Sequence, residues 1–146
     1  MGVLTTGVVA GCSDSGENRG AVGTVTAPGE VAVYLSETSN FDGSMEDETD
    51  AERVLVAVGA EGNGGYFAFD PPAVQITTET TIAWEWTGRG NEHNIVEQSD
   101  YFSSGSPVSG SDRTFELGFQ ESGTYLYYCR PHESVGMKGA TVIEES

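Results

Sequence analysis

The chain has 146 residues, which is enough for one domain with a hydrophobic core and too few for two domains of ordinary size. Its 23 Asp and Glu residues against six Lys and Arg give a formal net charge of −17. Because phosphate groups are bound by cationic side chains, this balance excludes nucleic acid and anionic lipid surfaces as partners. The acid is spread along the whole chain, which favours a protein adapted to a saline environment. At 1 M ionic strength the Debye length shrinks to about 3 Å, so most of the self-repulsion is screened.

The first twelve residues form a short apolar run that ends in Val9-Ala10-Gly11-Cys12. This ending resembles the lipobox at which a secretory signal is cut and the new N-terminal cysteine is lipidated, although a basic region does not precede the run. We therefore interpret residues 1–12 as a short, degenerate signal and expect a lipid on Cys12. The alternative is a plain thiol in a frayed terminus. No other stretch of the sequence approaches the roughly 18 apolar residues that a membrane span needs.

Residues 13–29 are small, polar and rich in glycine, which predicts a flexible tether between the lipid and a folded domain over residues 30–146. The segment 34–52 predicts an ordered edge followed by an acidic surface loop. From Arg53 onward the pattern is that of short strands punctuated by glycine and proline, and no run has sustained helical spacing. Two segments show the alternation most clearly, with Val54, Val56 and Val58 on one face of the first and Ile82, Trp84 and Trp86 on one face of the second. Short strands separated by turns predict an all-β domain, as an antiparallel sandwich or barrel.

One short segment near the C-terminus has the spacing of a metal site. Cys129 is followed by His132 three positions later and by Met137 eight positions later. The chain has only one other histidine, His93, which lies 36 positions before the cysteine. A thiolate, two imidazoles and a weak axial thioether form a soft, roughly trigonal site that suits one-electron copper chemistry.

The segment 127–140, together with residues 59–74, the Trp84-Glu85-Trp86 strand and His93-Asn94, resembles the halocyanin family, the small plastocyanin-like blue copper proteins of halophilic archaea. The resemblance covers residues 30–146. It implies a cupredoxin-like Greek-key β-sandwich of about eight strands, with one copper ion at one end. It also implies an electron carrier, not an enzyme, that works outside the cytoplasmic membrane with redox partner proteins of a membrane electron-transport chain. We expect a monomer whose attachment to the membrane depends only on the lipid at Cys12.

The resemblance also implies roles for individual residues. The four copper ligands would be His93, Cys129, His132 and Met137. Asn94 would connect the two ligand loops, and Pro131 would limit hydrogen bonding to the sulfur because it has no N–H. His132 would be the port through which electrons leave and enter, and Tyr128 would offer a lateral route.

Several alternatives compete with this interpretation. A disulfide between Cys12 and Cys129 would leave the spacing of the histidines and the methionine unexplained. A zinc site is disfavoured because zinc rarely takes a thioether ligand. A copper storage or delivery protein is the second candidate function. A multicopper oxidase would need more than two histidines, and a dinuclear copper centre would need a second cysteine in the ligand loop.

Overall fold

The computed structural model describes residues 23–146, which form two β-sheets. The elements in chain order are β1 (Thr24–Thr26), helix α1 (Gly29–Tyr34), β2 (Ser44–Asp47), β3 (Arg53–Gly62), β4 (Gly65–Asp70), β5 (Ala73–Thr77), β6 (Thr81–Trp86), β7 (Val96–Glu97), β8 (Thr114–Gly118), β9 (Gly123–Tyr128), a 3-10 helix (Arg130–Val135) and β10 (Lys138–Glu144). The first sheet has the spatial order β1-β2-β5-β10-β9-β7, and the second has the order β4-β3-β6-β8. The predicted all-β architecture is confirmed, and the described part of the chain has ten strands where about eight were expected.

The strand pairing is mixed, so the expectation of an antiparallel arrangement holds for only part of each sheet. Strands β3 and β4 form a hairpin in the second sheet, β5 crosses to the first sheet, and β6 returns to the second. Strand β5 is parallel to both β2 and β10, and β6 is parallel to β3. Parallel neighbours need a crossover connection between them, and alternation alone does not show which neighbours are parallel.

The core lies between the sheets and is built by the predicted alternation. Val54, Val56 and Val58 are buried on β3, whereas Leu55 between them is half exposed. Trp84 on β6 meets Tyr127 on β9 edge to face, with 5.5 Å between the ring centroids. Because these strands belong to different sheets, this contact joins the two layers through the largest side chains of the core.

The end of the predicted tether belongs to the folded domain, which corrects the boundary at residue 30. Strand β1 pairs antiparallel with β2, so that Val25 lies opposite Met45. The helix that follows buries Val31 completely, and Leu35 just after it is also buried. The sequence indicates these two elements only weakly. A three-residue strand and a six-residue helix that buries one face carry few apolar residues, and these are buried only when the elements pack against the sheet. Strand β2 itself lies in the segment interpreted as an acidic surface loop, and Met45 fixes it there by burial.

The predicted signal segment, Cys12, and the tether up to residue 22 lie outside the described residues. Within residues 23–146, no helix is both long enough and apolar enough to cross a membrane.

Candidate metal centre

Three predicted ligands converge at one end of the sandwich. His93 lies in the segment between β6 and β7, Cys129 follows β9 directly, and His132 lies in the 3-10 helix. The Nδ1 atom of His93 is 3.7 Å from the Cys129 Sγ atom, and the Nδ1 atom of His132 is 3.5 Å from it. The three donor atoms all lie within 4.8 Å of one another. The fold therefore brings together residues that are 36 positions apart in the chain.

The His93 ring is held by a hydrogen bond at its Nε2 atom, while its Nδ1 atom lies near the Cys129 sulfur. Its Nε2 atom lies 2.6 Å from the carbonyl oxygen of Arg89, and because a carbonyl only accepts, Nε2 carries the proton. Nδ1 is then the atom with a free lone pair, and it faces the sulfur. Gly59 and Gly90 close the space behind the ring, since a Cβ on either would come within 2.9 Å of Nε2. Burial lowers the pKa of His93 and keeps the imidazole neutral, as a metal ligand must be.

Cys129 is completely buried and carries a free thiol. Burial raises the pKa of this thiol, while the backbone N–H groups of Asn94 and His132 near the sulfur act in the opposite direction. A bound metal cation is the partner that converts such a buried thiol into a thiolate. The Pro131 nitrogen between these two ligands has no hydrogen to add to the sulfur.

The side chain of Asn94 connects the two ligand loops by a hydrogen bond. Its Oδ1 atom accepts a hydrogen bond of 2.9 Å from the backbone N–H of Arg130, next to Cys129. Its Nδ2 atom donates to the carbonyl of Gly105 at 3.0 Å. Asn94 itself is buried, and both of these bonds are partly buried.

Met137 closes the ligand loop beside the cysteine. Its carbonyl accepts the Cys129 N–H at 3.0 Å, and its own N–H donates to the His132 carbonyl at 3.2 Å. The side chain is completely buried. The turn of 3-10 helix between Cys129 and Met137 thus brings the backbone of Met137 against both Cys129 and His132.

Two supports of the site were not predicted from the sequence. The ring of Phe67 on β4 stacks on His132, with 4.4 Å between centroids and 26° between planes. The register of β3 shifts between Val58 and Ala60, and this irregularity is where Gly59 lies against His93. Both residues lie in the segment 59–74, whose sequence carries no local signal of contact with the ligands.

The predicted electron routes have different surroundings. His132 is partly exposed, whereas His93 is buried, so His132 is the imidazole that reaches the surface. Tyr128 is also partly exposed, and the guanidinium of Arg130 lies 5.8 Å from the centre of its ring.

The donor set fits copper by its chemistry. One thiol, two neutral imidazoles and an adjacent methionine are softer than the sets that bind magnesium or calcium, and a structural zinc site would recruit further Cys, His or carboxylate ligands. In the described part of the chain, one group of Cys, His and acidic side chains has donor atoms close enough together to hold a metal ion. This group consists of His93, Cys129 and His132.

Comparison with known proteins agrees with this chemistry. Residues 55–144 match the copper binding proteins of the plastocyanin/azurin family. Halocyanin of Natronomonas pharaonis is 40% identical over 123 residues, which cover 82% of this chain and 74% of that protein. Plastocyanin of Scenedesmus fuscus is 31% identical over 100 residues, covering 62% of this chain and 99% of that protein. The structure of a mutant fern plastocyanin superposes with a TM-score of 0.51 at 24% identity, over 62% of this chain and 100% of the other, which supports the fold.

The two-sheet sandwich, the match to copper-binding proteins and the similarity to halocyanin together define a blue copper protein of the cupredoxin class. Its cofactor is one copper ion. The chain belongs to the plastocyanin/azurin family of copper-binding proteins, and halocyanin is the relative it resembles at 40% identity.

Proposed function

We propose that the protein is an electron carrier that passes single electrons, through its one copper ion, between redox proteins of a membrane electron-transport chain. Bound copper supplies the one-electron chemistry by cycling between Cu(I) and Cu(II). The observation that carries the proposal is a buried donor set of which a single imidazole, that of His132, reaches the surface. Such a site suits the passage of an electron better than the entry of a substrate.

The supports of the site favour retention of the metal in both oxidation states. His93 is held through the Arg89 carbonyl, the two ligand loops are joined by Asn94, and Cys129 is bonded to the backbone of Met137. A site fixed in this way rearranges little when the charge on the metal changes. Small rearrangement lowers the barrier to electron transfer and also slows the loss of metal to another protein.

The imidazole of His132 is the proposed port. Phe67 stacks on one face of this ring, and the residue is partly exposed. Tyr128, next to Cys129 in the chain, is the proposed lateral route, and a partner that approached it would meet the charge of Arg130.

The test compares electron transfer with copper release on the same sample. Protein loaded with Cu(II) is examined by optical and EPR spectroscopy, cycled electrochemically, and then challenged with a chelator in each oxidation state. An electron carrier should show one reversible one-electron couple and keep its copper in both states. Rapid loss of Cu(I) to the chelator would instead support the second candidate, copper storage or delivery.

We also propose that the protein works outside the cytoplasmic membrane, held there by a lipid on Cys12. The support is the sequence ending in Cys12 and the similarity to halocyanin. Mass spectrometry of protein extracted from native membranes should find an N-terminal peptide that begins at a lipidated Cys12. An unmodified peptide that reads through residue 12 would refute the anchor and leave the copper chemistry untouched.

A further inference from the structure

The indole of Trp86 is part of the core, and its N–H group also forms hydrogen bonds at the copper end of the sandwich. Trp86 ends β6 and is only 4% exposed. Its Nε1–H group points to two backbone carbonyls, that of His93 at 3.1 Å and that of Val108 at 3.2 Å. One of these carbonyls belongs to a copper ligand.

The same two carbonyls already take part in an isolated β-bridge. The N–H of His93 donates to the Val108 carbonyl at 2.9 Å, and the N–H of Val108 donates to the His93 carbonyl at 3.0 Å. The indole therefore adds a third donor to a reciprocal pair and bonds to both acceptors at once. The bridge attaches His93 to the loop of residues 98–113, which follows β7.

Arg113 fixes the indole at the other end of that loop. Its carbonyl accepts the backbone N–H of Trp86 at 3.0 Å, and its guanidinium lies 5.5 Å from the centre of the indole ring. The same guanidinium donates to the carbonyl of Ser104. The backbone N–H of Ser104 in turn donates to the carbonyl of Ile95 at 2.8 Å. Trp86 is thus held in place by the loop that it attaches to His93.

We propose that Trp86 is a positioning residue for the copper site. It touches none of the donor atoms and acts through the backbone of His93, keeping the Nδ1 atom of that residue at its distance from the Cys129 sulfur. The proposal rests on His93 being a copper ligand, and it does not depend on which proteins exchange electrons with the site. Because the indole and the His93 carbonyl are buried, water cannot readily replace the donor to that carbonyl when the N–H is removed.

The test is the substitution Trp86→Phe, with Trp84→Phe as the matched control. Both remove a buried indole from β6, but the Trp84 indole bonds to neither carbonyl. Amide hydrogen exchange is measured by NMR on metal-free protein. In Trp86→Phe we expect the amides of His93 and Val108 to exchange about fivefold faster, as the loss of one ordinary hydrogen bond predicts. The amide of Val54, on β3, should exchange as in Trp84→Phe.

The second readout is the copper itself. The EPR hyperfine splitting and the visible band of the Cu(II) protein should shift in Trp86→Phe and stay in place in Trp84→Phe. Unchanged protection of the His93 and Val108 amides, or equal changes in both variants, would overturn the proposal. If Trp86→Phe does not fold, the indole N–H is replaced by sulfur through incorporation of benzothienylalanine in the Trp84→Phe background, which keeps the shape and removes only the donor. Because exchange is measured without metal, its outcome is independent of whether the copper serves electron transfer or delivery.

Discussion

Replacing Gly59 by alanine should disturb the copper site by displacing His93 from its Nε2 side. Gly59 has a φ of +94°, and a Cβ there would lie 2.6 Å from the Arg89 carbonyl oxygen, 2.7 Å from the Thr87 hydroxyl and 2.9 Å from the His93 Nε2 atom. Real Cβ atoms do not approach so closely, and two of the three neighbours form the hydrogen bond that orients the imidazole. The substitution must therefore displace the ring or the carbonyl that holds it.

A matched control separates this contact from backbone strain. Gly64 has a similar φ of +90°, and nothing lies within 4 Å of a Cβ placed there. In Gly64→Ala only the left-handed conformation is penalised, by about 1 to 2 kcal/mol. In Gly59→Ala the overlap with packed atoms adds about 1 to 3 kcal/mol. The total loss in the free energy of unfolding is then about 2 to 5 kcal/mol.

The assay is denaturant unfolding of both variants without metal, followed by the visible spectrum after Cu(II) is added. We expect Gly59→Ala to lose more stability than Gly64→Ala, and we expect an altered or weakened blue band only in Gly59→Ala. Equal stabilities together with a native spectrum in Gly59→Ala would refute the argument that this glycine sets the position of His93.

Three further predictions concern the ligands themselves. Cys129→Ser should fold and lose the intense blue colour, because the colour depends on the thiolate; a blue variant would refute the ligand assignment. Met137→Leu should keep copper and raise the reduction potential measured by voltammetry, because a weak axial donor that stabilises Cu(II) is lost; an unchanged potential would show that Met137 is not axial. The metal-free protein should lose stability as pH falls below the ordinary histidine pKa of 6.5, because burial lowers the pKa of His93 and His132 and the unfolded chain binds protons first. Between that pH and the ordinary thiol pKa of about 8.5, the folded and unfolded forms both carry neutral histidines and a protonated Cys129, so denaturant unfolding should show a plateau there. The copper protein should resist acid to lower pH.

Much of the site could be predicted because its residues are close in sequence. The spacing of Cys129, His132 and Met137 fits one loop, and the 3-10 helix between them places all three at one end of the sandwich. His93 was assigned by resemblance and because it is the remaining histidine, and the structure places it by the Cys129 sulfur. The supports that hold His93, namely the Arg89 carbonyl and the Gly59 contact, depend on tertiary structure and have no local signature.

The fold shows the same division between local and long-range information. The alternation of valines on β3 predicts correctly which side chains are buried, because burial on one face repeats every second residue. Strand β1 was interpreted as tether because Thr24, Val25 and Thr26 carry too little apolar surface to signal a strand. Its partner Ser44–Asp47 is acidic and equally uninformative, and the pairing becomes evident only when Met45 is seen to be buried.

The acidic surface and the copper site should respond differently to salt. Exposed charges, such as the Arg53 and Glu116 pair with each side chain about half exposed, are screened as salt rises. The bonds that fix the site are between neutral groups, from the His93 ring to the Arg89 carbonyl and from Asn94 to the backbone next to Cys129, and screening does not weaken them. For a chain with a net charge of −17 we expect the free energy of unfolding to rise between low and molar salt, as measured by circular dichroism with denaturant. The visible spectrum of the folded copper protein should stay constant over the same range. A spectrum that changed in step with stability would mean that surface charge, and not this buried hydrogen bonding, sets the ligand geometry.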